Sequence, residues 1–179
     1  MRSSAPIRLS RRVLVGATLT TMLVPRGARA GERKKIPQSA VSLEFPLDWT
    51  FAEQEEGDKQ QLLATSEDGI LRAYAEHMVV KKAPPDFVPP IHAPRPEALT
   101  KIADRKFEPK AHRTERHNGF FCIYQQGKGT LNGAKVAFAF WYLVEIKTKV
   151  GATLVAWTTP RAFASKNLIV DGIVASVSA

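Results

Sequence analysis

The segment 136–146 constrains the fold of this chain more than any other. Every second residue from Val136 onward is apolar, which is the two-residue period of a β-strand. The intervening positions in its middle, among them Trp141 and Leu143, are apolar as well. A strand that is apolar on both faces lies in the centre of a sheet, with cover on each side. The sequence therefore predicts a layered fold built around this strand.

Short turn signals divide the neighbouring sequence into further strands. Glu67-Asp68-Gly69 separates two apolar runs, and Asn118-Gly119 and Asn132-Gly133 enclose a run that begins at Phe120. Glycine adopts positive φ without steric strain, so these turns predict antiparallel hairpins. The predicted strands are 40–45, 60–66, 70–80, 111–117, 120–126, 136–146 and 151–158.

Two helices are expected beside the sheet. Leu99, Ile102 and Ala103 fall on one side of a helix predicted over 97–107. A C-terminal helix is predicted to begin at Thr159-Pro160, because threonine caps helix N-termini and proline suits the first helical position. The segment 83–96 holds six of the twelve prolines and predicts an extended loop. The fold class is therefore α+β, an antiparallel β-sheet of about six to seven strands flanked by two helices.

The N-terminus has the layout of an export signal. Residues 1–12 hold four arginines and no acid, residues 13–24 are uncharged and moderately apolar, and Ala28-Arg29-Ala30 forms a small-x-small site. This layout predicts a cleavable signal peptide over residues 1–30, cut between Ala30 and Gly31. Its apolar run is shorter than the roughly 20 residues that a membrane-spanning helix needs.

An arginine pair in this segment favours one export route. Ser10-Arg11-Arg12-Val13-Leu14 resembles the twin-arginine motif of Tat signal peptides in its serine, its two arginines and the leucine two positions beyond them. Gly16 stands near the place where Tat signals often carry lysine. The resemblance implies export to the bacterial periplasm, with Arg11 and Arg12 as the recognised pair. The alternative is a general secretory signal whose basic region happens to end in two arginines.

Removal of the signal peptide lowers the net charge from which binding partners can be predicted. The whole chain has 26 Lys and Arg against 17 Asp and Glu, a formal charge of +9. Six of those arginines and none of the acids lie in residues 1–30, which leaves 20 against 17, or +3, for residues 31–179. A balance that small gives no reason to expect a nucleic-acid binder. We expect a polar lead-in over 31–39 and a single globular domain over 40–179.

Two stretches carry a family resemblance. Alternating apolar residues in 41–49 lead into Phe45-Pro46 and then Trp49, and 133–177 is a long apolar hairpin closed by Thr158-Thr159-Pro160 and followed by a helix. In both respects the chain resembles the opening and the ending of the PsbP/Mog1/DcrB-like superfamily. The resemblance implies an α/β/α-type sandwich around an antiparallel sheet. It also implies a mostly non-enzymatic protein, since members are photosystem accessory proteins, nuclear-import cofactors and bacterial periplasmic proteins.

The residues that could support chemistry do not form a recognisable site. Cys122 is the only cysteine and lies in an apolar run, which favours a buried thiol over a reactive one. His112 and His117 would point to opposite faces of a strand and so would not converge on one metal ion, although Glu115 and His117 could share a face. The segment 127–133 has three glycines but no following helix, which favours a hairpin loop over a phosphate-binding loop. We therefore predict a non-enzyme without a metal or cofactor.

A basic segment is the strongest candidate for a binding surface. Residues 105–117 hold five Lys and Arg, whereas 36–58 hold six acids and no Lys or Arg. A positive patch suits an anionic surface or an acidic envelope protein, and the alternative is two solvated faces. The candidate patch consists of Arg105, Lys106, Lys110, Arg113 and Arg116.

Together these features predict an exported, soluble, non-catalytic binding or accessory protein of the cell envelope. One alternative is a carrier of a small hydrophobic molecule or lipid, with a pocket between the sheet and a helix and the proline-rich loop 83–96 as its rim. A deep pocket lined by Phe138, Trp141 and Tyr142 would favour this alternative. A second alternative is an envelope enzyme whose catalytic residues are too dispersed to recognise in one sequence. The expected partner is an envelope protein or an anionic surface, with no nucleic acid and no transmembrane segment in the mature chain.

Overall fold

The main element of the structure is an antiparallel sheet of eight strands. The computed structural model describes residues 31–56, 59–79, 97–145, 147–148 and 150–179. The strands are β1 (Glu32–Lys35), β2 (Ser42–Phe45), β3 (Thr50–Glu56), β4 (Lys59–Thr65), β5 (Arg72–Val79), β6 (Ala103–Phe107), β7 (Arg113–His117), β8 (Phe120–Leu131), β9 (Ala134–Glu145) and β10 (Val150–Thr158). The helical segments are α1 (Glu97–Thr100), a 3₁₀ turn (Pro109–Ala111) and α2 (Phe163–Ala175).

The strand order explains the layered shape. The large sheet runs β3-β4-β5-β10-β9-β8, and β6 and β7 both pair with the outer side of β8. β1 and β2 form a separate two-stranded sheet. This confirms the predicted α+β class, an antiparallel sheet flanked by two helices. The sheet has more strands than predicted because β3 and β6 lie at its edges, where few side chains are buried and the apolar period is weak.

β9 occupies the interior position that its sequence predicts. It pairs with β8 on one side and with β10 on the other. Trp141 and Leu143 belong to one hydrophobic core, whereas Phe138 and Tyr142 belong to a second core on the opposite face. All four side chains are at most 3% exposed. The strand therefore contributes to both cores of the molecule.

The two faces of the sheet have different covers. The first face, which we call the α2 face, is covered by α2 through Val170, Ile173 and Val174 and by the β1–β2 sheet. The second face, which we call the α1 face, packs against α1 and the residues beside it, with Leu99 and Ile102 buried. The side chains of one strand alternate between these faces, so each polar side chain can be assigned to one of them.

The predicted turns are confirmed by their backbone geometry. Asn118 and Gly119 have φ of 50° and 89°, and Asn132 and Gly133 have φ of 50° and 80°. Positive φ at both central residues is characteristic of the tight hairpin turns that Asn-Gly pairs favour. These turns fix the register of β7 with β8 and of β8 with β9.

The predicted loop 127–133 is wrong, because β8 continues through it to Leu131. The turn itself contains only Asn132 and Gly133. Gly127 and Gly129 allow other groups to lie close to the strand. A Cβ at Gly127 would lie 2.5 Å from the carbonyl oxygen of Lys106, and one at Gly129 would lie 2.5 Å from a methyl group of Ile102. The two glycines therefore allow β6 to pack closely against β8, and they are not part of a loop.

The predicted helix over 97–107 is also mostly wrong. Only α1 is helical, and Ala103–Phe107 forms β6 along the edge of β8. Phe107 packs edge-on against Phe138, with ring centroids 5.6 Å apart. Pairing with β8 therefore replaces the helical turns that the local pattern favours. The C-terminal helix is present, but it begins at Phe163, and the predicted cap Thr159 instead accepts a hydrogen bond from Ala162 N in the preceding turn.

The segment 31–39 is not the loose lead-in expected from its polar composition. Residues 32–35 form β1 and pair with β2. Ile36 is completely buried in the core of the α2 face. The ammonium group of Lys34 lies 4.5 Å from the centre of the Phe51 ring, so even a lysine here covers apolar surface. The long aliphatic stems of these basic residues explain why a polar sequence packs onto the sheet.

The β1–β2 sheet also joins the two ends of the described chain. Gly31 N donates a hydrogen bond to Glu44 Oε1 at 3.0 Å. Arg33 Nη1 donates to Ser178 Oγ at 2.7 Å, and Ser42 exchanges backbone hydrogen bonds with Ser178. The segment that begins at Gly31 is thus part of the folded unit.

Several predictions concern residues outside the described ranges. The signal peptide over 1–30, including Arg11, Arg12 and the cleavage position at Ala30, is among them, as is the proline-rich loop 83–96. These remain predictions. Within the described ranges, no helix is long and apolar enough to cross a bilayer.

Candidate functional site

The structure distributes the predicted basic patch over three elements. Its residues lie on β6, on the 3₁₀ turn and on β7, all beyond β8 at one edge of the sheet. Lys106, Lys110 and Arg116 are exposed, and the Arg116 guanidinium lies 4.3 Å from the centre of the Phe121 ring. We call these three residues and the strands that carry them the basic edge.

The other two arginines of the patch have internal partners. Arg113 Nη2 lies 2.7 Å from Asp171 Oδ1 of α2, and the guanidinium stacks 4.1 Å from the centre of the Tyr124 ring. Arg105 Nη1 donates to the carbonyl oxygens of Leu99 and Thr100 at the end of α1. Both arginines therefore hold elements of the fold together. The spacing of charges in the sequence does not distinguish them from the three exposed residues of the patch.

Cys122 is buried, as its apolar neighbours predict, whereas His112 precedes β7 and does not lie on the predicted strand with His117. Cys122 is completely buried, and loss of hydration raises the pKa of its thiol to about 12. This confirms the prediction of a buried thiol. His117 Nε2 lies 3.0 Å from Glu115 Oε2 on the same strand face. Among the described residues, no three His, Cys, Asp or Glu side chains are grouped so that they could hold a metal ion.

A cleft at the opposite end of the sheet is a site that the sequence analysis missed. The pairing of β4 with β5 ends at Gln61 and Glu76. Beyond that point β4 continues to Lys59 beside β3, while β5 continues to Val79 beside β10. The two strands therefore separate and leave an opening between them, which we call the β4–β5 cleft. Its volume is about 310 Å³.

The lining of the β4–β5 cleft combines polar and apolar side chains. Lys59, Gln60, Glu76 and Thr153 line the cleft with an ammonium group, an amide, a carboxylate and a hydroxyl. Met78 lies next to them along β5. A shallower depression of about 570 Å³ adjoins the cleft and shares Gln60 with it.

Glu76 is the most strongly perturbed group in the cleft. Its side chain is almost fully buried, accepts a hydrogen bond from Gln61 Nε2 at 3.0 Å and accepts another from the backbone N–H of Glu97 at 3.3 Å. Burial raises the pKa of this carboxyl group, while the nearby Lys59 and the two hydrogen bonds act in the opposite direction. Glu76 therefore joins α1 to the sheet and holds a carboxyl group at the cleft.

Two further polar atoms near Glu76 lack partners. Gln61, Glu76 and Thr153 occupy directly opposed positions on β4, β5 and β10, so all three lie on the α1 face. Gln61 Oε1 and Thr153 Oγ1 are buried, and neither has a hydrogen-bond partner among the described residues. A buried polar atom without a partner costs about 1–3 kcal/mol. The sequence signal for this row was the occurrence of polar residues at strand positions that face inward. The pairing register of β4, β5 and β10 is what places these residues next to one another.

The aromatic residues proposed for a hydrophobic pocket lie elsewhere. Phe138, Trp141 and Tyr142 are packed inside the two cores. None of them lines the β4–β5 cleft, the adjoining depression or a third cavity of about 220 Å³ beside Trp49 and Lys166. The β4–β5 cleft, within the described part of the chain, is a small opening lined by both polar and apolar side chains.

Comparisons with known proteins identify the fold. Neither a protein-family profile nor a curated protein sequence matches the chain at a significant level. The cyanobacterial PsbP protein CyanoP from Synechocystis sp. PCC 6803 has a similar structure, with a TM-score of 0.54 at 9% identity over 86% of this chain and 95% of that chain. LpqN, involved in cell envelope biogenesis of Mycobacterium tuberculosis, gives a TM-score of 0.50 at 12% identity over 85% and 86% of the two chains.

A third similar structure comes from Bacteroides thetaiotaomicron VPI-5482. Its TM-score is 0.53 at 16% identity over 84% of this chain. The match spans about half of that longer protein, 49% of its chain. At these identities the likeness concerns architecture and carries no function with it. The chain therefore has a PsbP/Mog1/DcrB-like fold, as the resemblance of its opening and ending stretches predicts.

Proposed function

We propose that this chain is an exported, non-catalytic binding or accessory protein of the bacterial cell envelope. The observation that carries the proposal is the basic edge, where Lys106, Lys110 and Arg116 are exposed along one border of the sheet. The PsbP-like fold supports it, and so does the likeness to LpqN, a protein involved in cell envelope biogenesis. The partner is an acidic envelope protein or an anionic membrane surface.

The geometry of the edge supports a docking role. Within the described ranges, β6 and β7 pair only with β8, so their outer backbone groups have no strand partner. Free backbone groups at a sheet edge can bind another polypeptide, while exposed cations bring anionic surfaces close. Arg113 does not take part, because Asp171 and Glu115 already hold its charge.

A matched set of charge reversals tests the docking surface. The edge variant carries Lys106→Glu, Lys110→Glu and Arg116→Glu, and the control carries the same charge change at the exposed residues Lys135, Lys147 and Arg161. We expect the edge variant alone to lose binding to phosphatidylglycerol vesicles, or to lose its cross-links to envelope proteins in cells. Equal behaviour of the two variants in both assays would show that the basic edge is not the docking surface.

The export route is tested by conservative changes in the signal. Arg11→Lys with Arg12→Lys should retain the precursor in the cytoplasm if the Tat route is used. Arg2→Lys with Arg8→Lys is the matched control and should leave export unchanged. The exported protein should begin at Gly31, which its intact mass reveals. Unimpaired export of the Arg11 and Arg12 variant would support a general secretory signal instead.

The two alternative functions have less support. A carrier of hydrophobic molecules needs an apolar pocket, and Phe138, Trp141 and Tyr142 are instead packed in the cores. An enzyme needs a group free to act on a substrate, but the Glu76 carboxyl group is engaged by Gln61 and by the backbone of Glu97.

A further inference from the structure

We infer that the β4–β5 cleft binds a small, uncharged molecule rich in hydroxyl groups, such as a monosaccharide unit. The cleft lies between β4 and β5, whereas the basic edge lies beyond β8 at the other end of the strand order. The inference is thus independent of the proposed docking role. It rests on the unpartnered hydroxyl group of Thr153, on the charge balance of the cleft and on the size of the cleft.

Thr153 Oγ1 lines the cleft and has no hydrogen-bond partner among the described residues, so a ligand can bond to it; Gln61 Oε1 belongs to the same row but does not line the cleft. Thr153 Oγ1 belongs to a residue that is 2% exposed, and Gln61 Oε1 belongs to one that is 0% exposed. Valine has nearly the shape of threonine and would fill the position of Thr153 without an unpartnered hydroxyl. Because a hydroxyl group both donates and accepts hydrogen bonds, a ligand hydroxyl suits the unpartnered hydroxyl of Thr153.

The charges at the cleft oppose a charged ligand. Lys59 and Glu76 contribute charges of opposite sign to the same lining. A single charge of either sign would be attracted by one of these two groups and repelled by the other, so the pair favours neither an anion nor a cation. A neutral molecule with several hydroxyls can accept a hydrogen bond from Lys59 and donate one to Glu76 without either penalty.

The size of the cleft sets the size of the ligand. Ligand pockets commonly span about 300–1,000 Å³, so the volume of about 310 Å³ suits a molecule no larger than one sugar ring. Met78, on the same face of β5 as Glu76, adds apolar surface that can contact the C–H groups of such a ring. The lining thus combines polar and apolar groups, as the surface of a monosaccharide does.

Titration of the purified protein with defined sugars tests the inference. Glucose and N-acetylglucosamine are the neutral probes, and glucose 6-phosphate is the charged counterpart. We expect millimolar neutral sugar to shift the amide NMR signals of residues 59–61, 76–79 and 153 in a saturable manner, and glucose 6-phosphate to bind more weakly. Absence of a saturable shift, or tighter binding of the phosphate, would overturn the inference.

Two threonines on β10 provide a matched pair of variants. Thr153 and Thr158 are both 2% exposed, and both hydroxyls lack a partner within the described residues, but only Thr153 lines the cleft. Thr153→Val should weaken sugar binding about tenfold, since one good hydrogen bond is worth about that much. Thr158→Val should bind like the unchanged protein. Equal effects of the two substitutions would mean that the cleft does not recognise the sugar, and vesicle binding by the basic edge should remain in both.

Discussion

Cys122 lies near the start of β8, opposite Glu115 of β7 on one side and Leu143 of β9 on the other. Its thiol has no exposed surface, and burial raises its pKa to about 12 because the thiolate would lose its hydration. The neighbouring Glu115 carboxylate acts in the same direction. At this residue a single cysteine behaves as a small apolar side chain.

The burial of Cys122 predicts resistance to thiol reagents. Iodoacetamide at pH 8 should leave the mass of the folded protein unchanged and should add one carbamidomethyl group after denaturation, because only the exposed thiolate reacts. A Leu168→Cys variant is the control, since Leu168 is 71% exposed and a thiol there should react in the folded state. Rapid labelling of Cys122 in the folded protein would contradict the structure.

The lowered pKa of Asp68 predicts how the stability of the protein changes in acid. Hydrogen bonds from Lys166, Ser66 and the Ile70 N–H lower the pKa of its carboxyl group from 3.8 to about 2. The stability that Asp68 contributes is thus present above the unfolded pKa and is lost as the pH falls from about 4 to 2. The stability gap between the unchanged protein and Asp68→Asn should shrink over this range, measured by urea denaturation. Lys166→Met should return the Asp68 midpoint toward 3.8 in an NMR titration.

Individual residues also show where prediction from the sequence ends. The burial of Cys122 follows from its apolar neighbours in the chain. The row of Gln61, Glu76 and Thr153 does not, because these residues are neighbours only through the register of three strands. Likewise, Arg113 and Arg116 look equivalent in sequence, but they point to opposite faces of β7 and only Arg113 reaches Asp171.

At the scale of elements, signals within a few residues were sufficient to predict the hairpins but not the strands at the edges of the sheet. The Asn-Gly turns and the apolar period of β9 are encoded within a few residues, so the central strands were predicted correctly. β6 is different, since its sequence also suits a helix and its strand conformation depends on the edge of β8. The pairing of β6 with β8 also requires a glycine at position 127, because Phe138 and the backbone of Lys106 lie where the Cβ of any other residue would be.

Two glycine substitutions test this packing. Gly127→Ala should destabilise the protein by about 1–3 kcal/mol, since the new Cβ would lie 2.5 Å from the Lys106 carbonyl oxygen and 2.7 Å from Phe138. Gly172→Ala is the matched control, because Gly172 is in α2 and its Cβ would meet nothing within 4 Å. That change should stabilise the protein by about 0.5–1 kcal/mol through helix propensity. Urea denaturation measures both, and similar effects of the two changes would contradict close packing at β6.

At the scale of the whole molecule, the first and last described segments form one unit. β1 pairs with β2, Ser42 of β2 exchanges hydrogen bonds with Ser178, and Ile36 fills the core beneath them. The overall architecture was predictable because a few short stretches resemble a known superfamily. The role of 31–39 was not, since its packing depends on a surface formed by residues more than a hundred positions away.

Truncation tests this boundary. A chain that begins at residue 40 should be markedly less stable than one that begins at Gly31, because it lacks β1 and the buried Ile36 side chain. Ile36→Ala in the longer chain should itself cost about 2–5 kcal/mol of unfolding free energy. Glu32→Ala is the control, since that side chain is partly exposed and should have little effect. Equal unfolding midpoints of the two chains would show that 31–39 is dispensable.

The contact between Gly31 N and Glu44 Oε1 has a consequence for maturation. In the precursor this nitrogen is a neutral amide, but the proposed cut before Gly31 would turn it into an ammonium group beside a carboxylate. The hydrogen bond would then become an ion pair, which is stronger than a bond between a neutral donor and a charged acceptor. Cleavage at the proposed position would therefore favour the folded β1–β2 sheet, and the folded sheet would hold the new terminus in place. The free energy of unfolding would then be higher for the exported form than for its precursor.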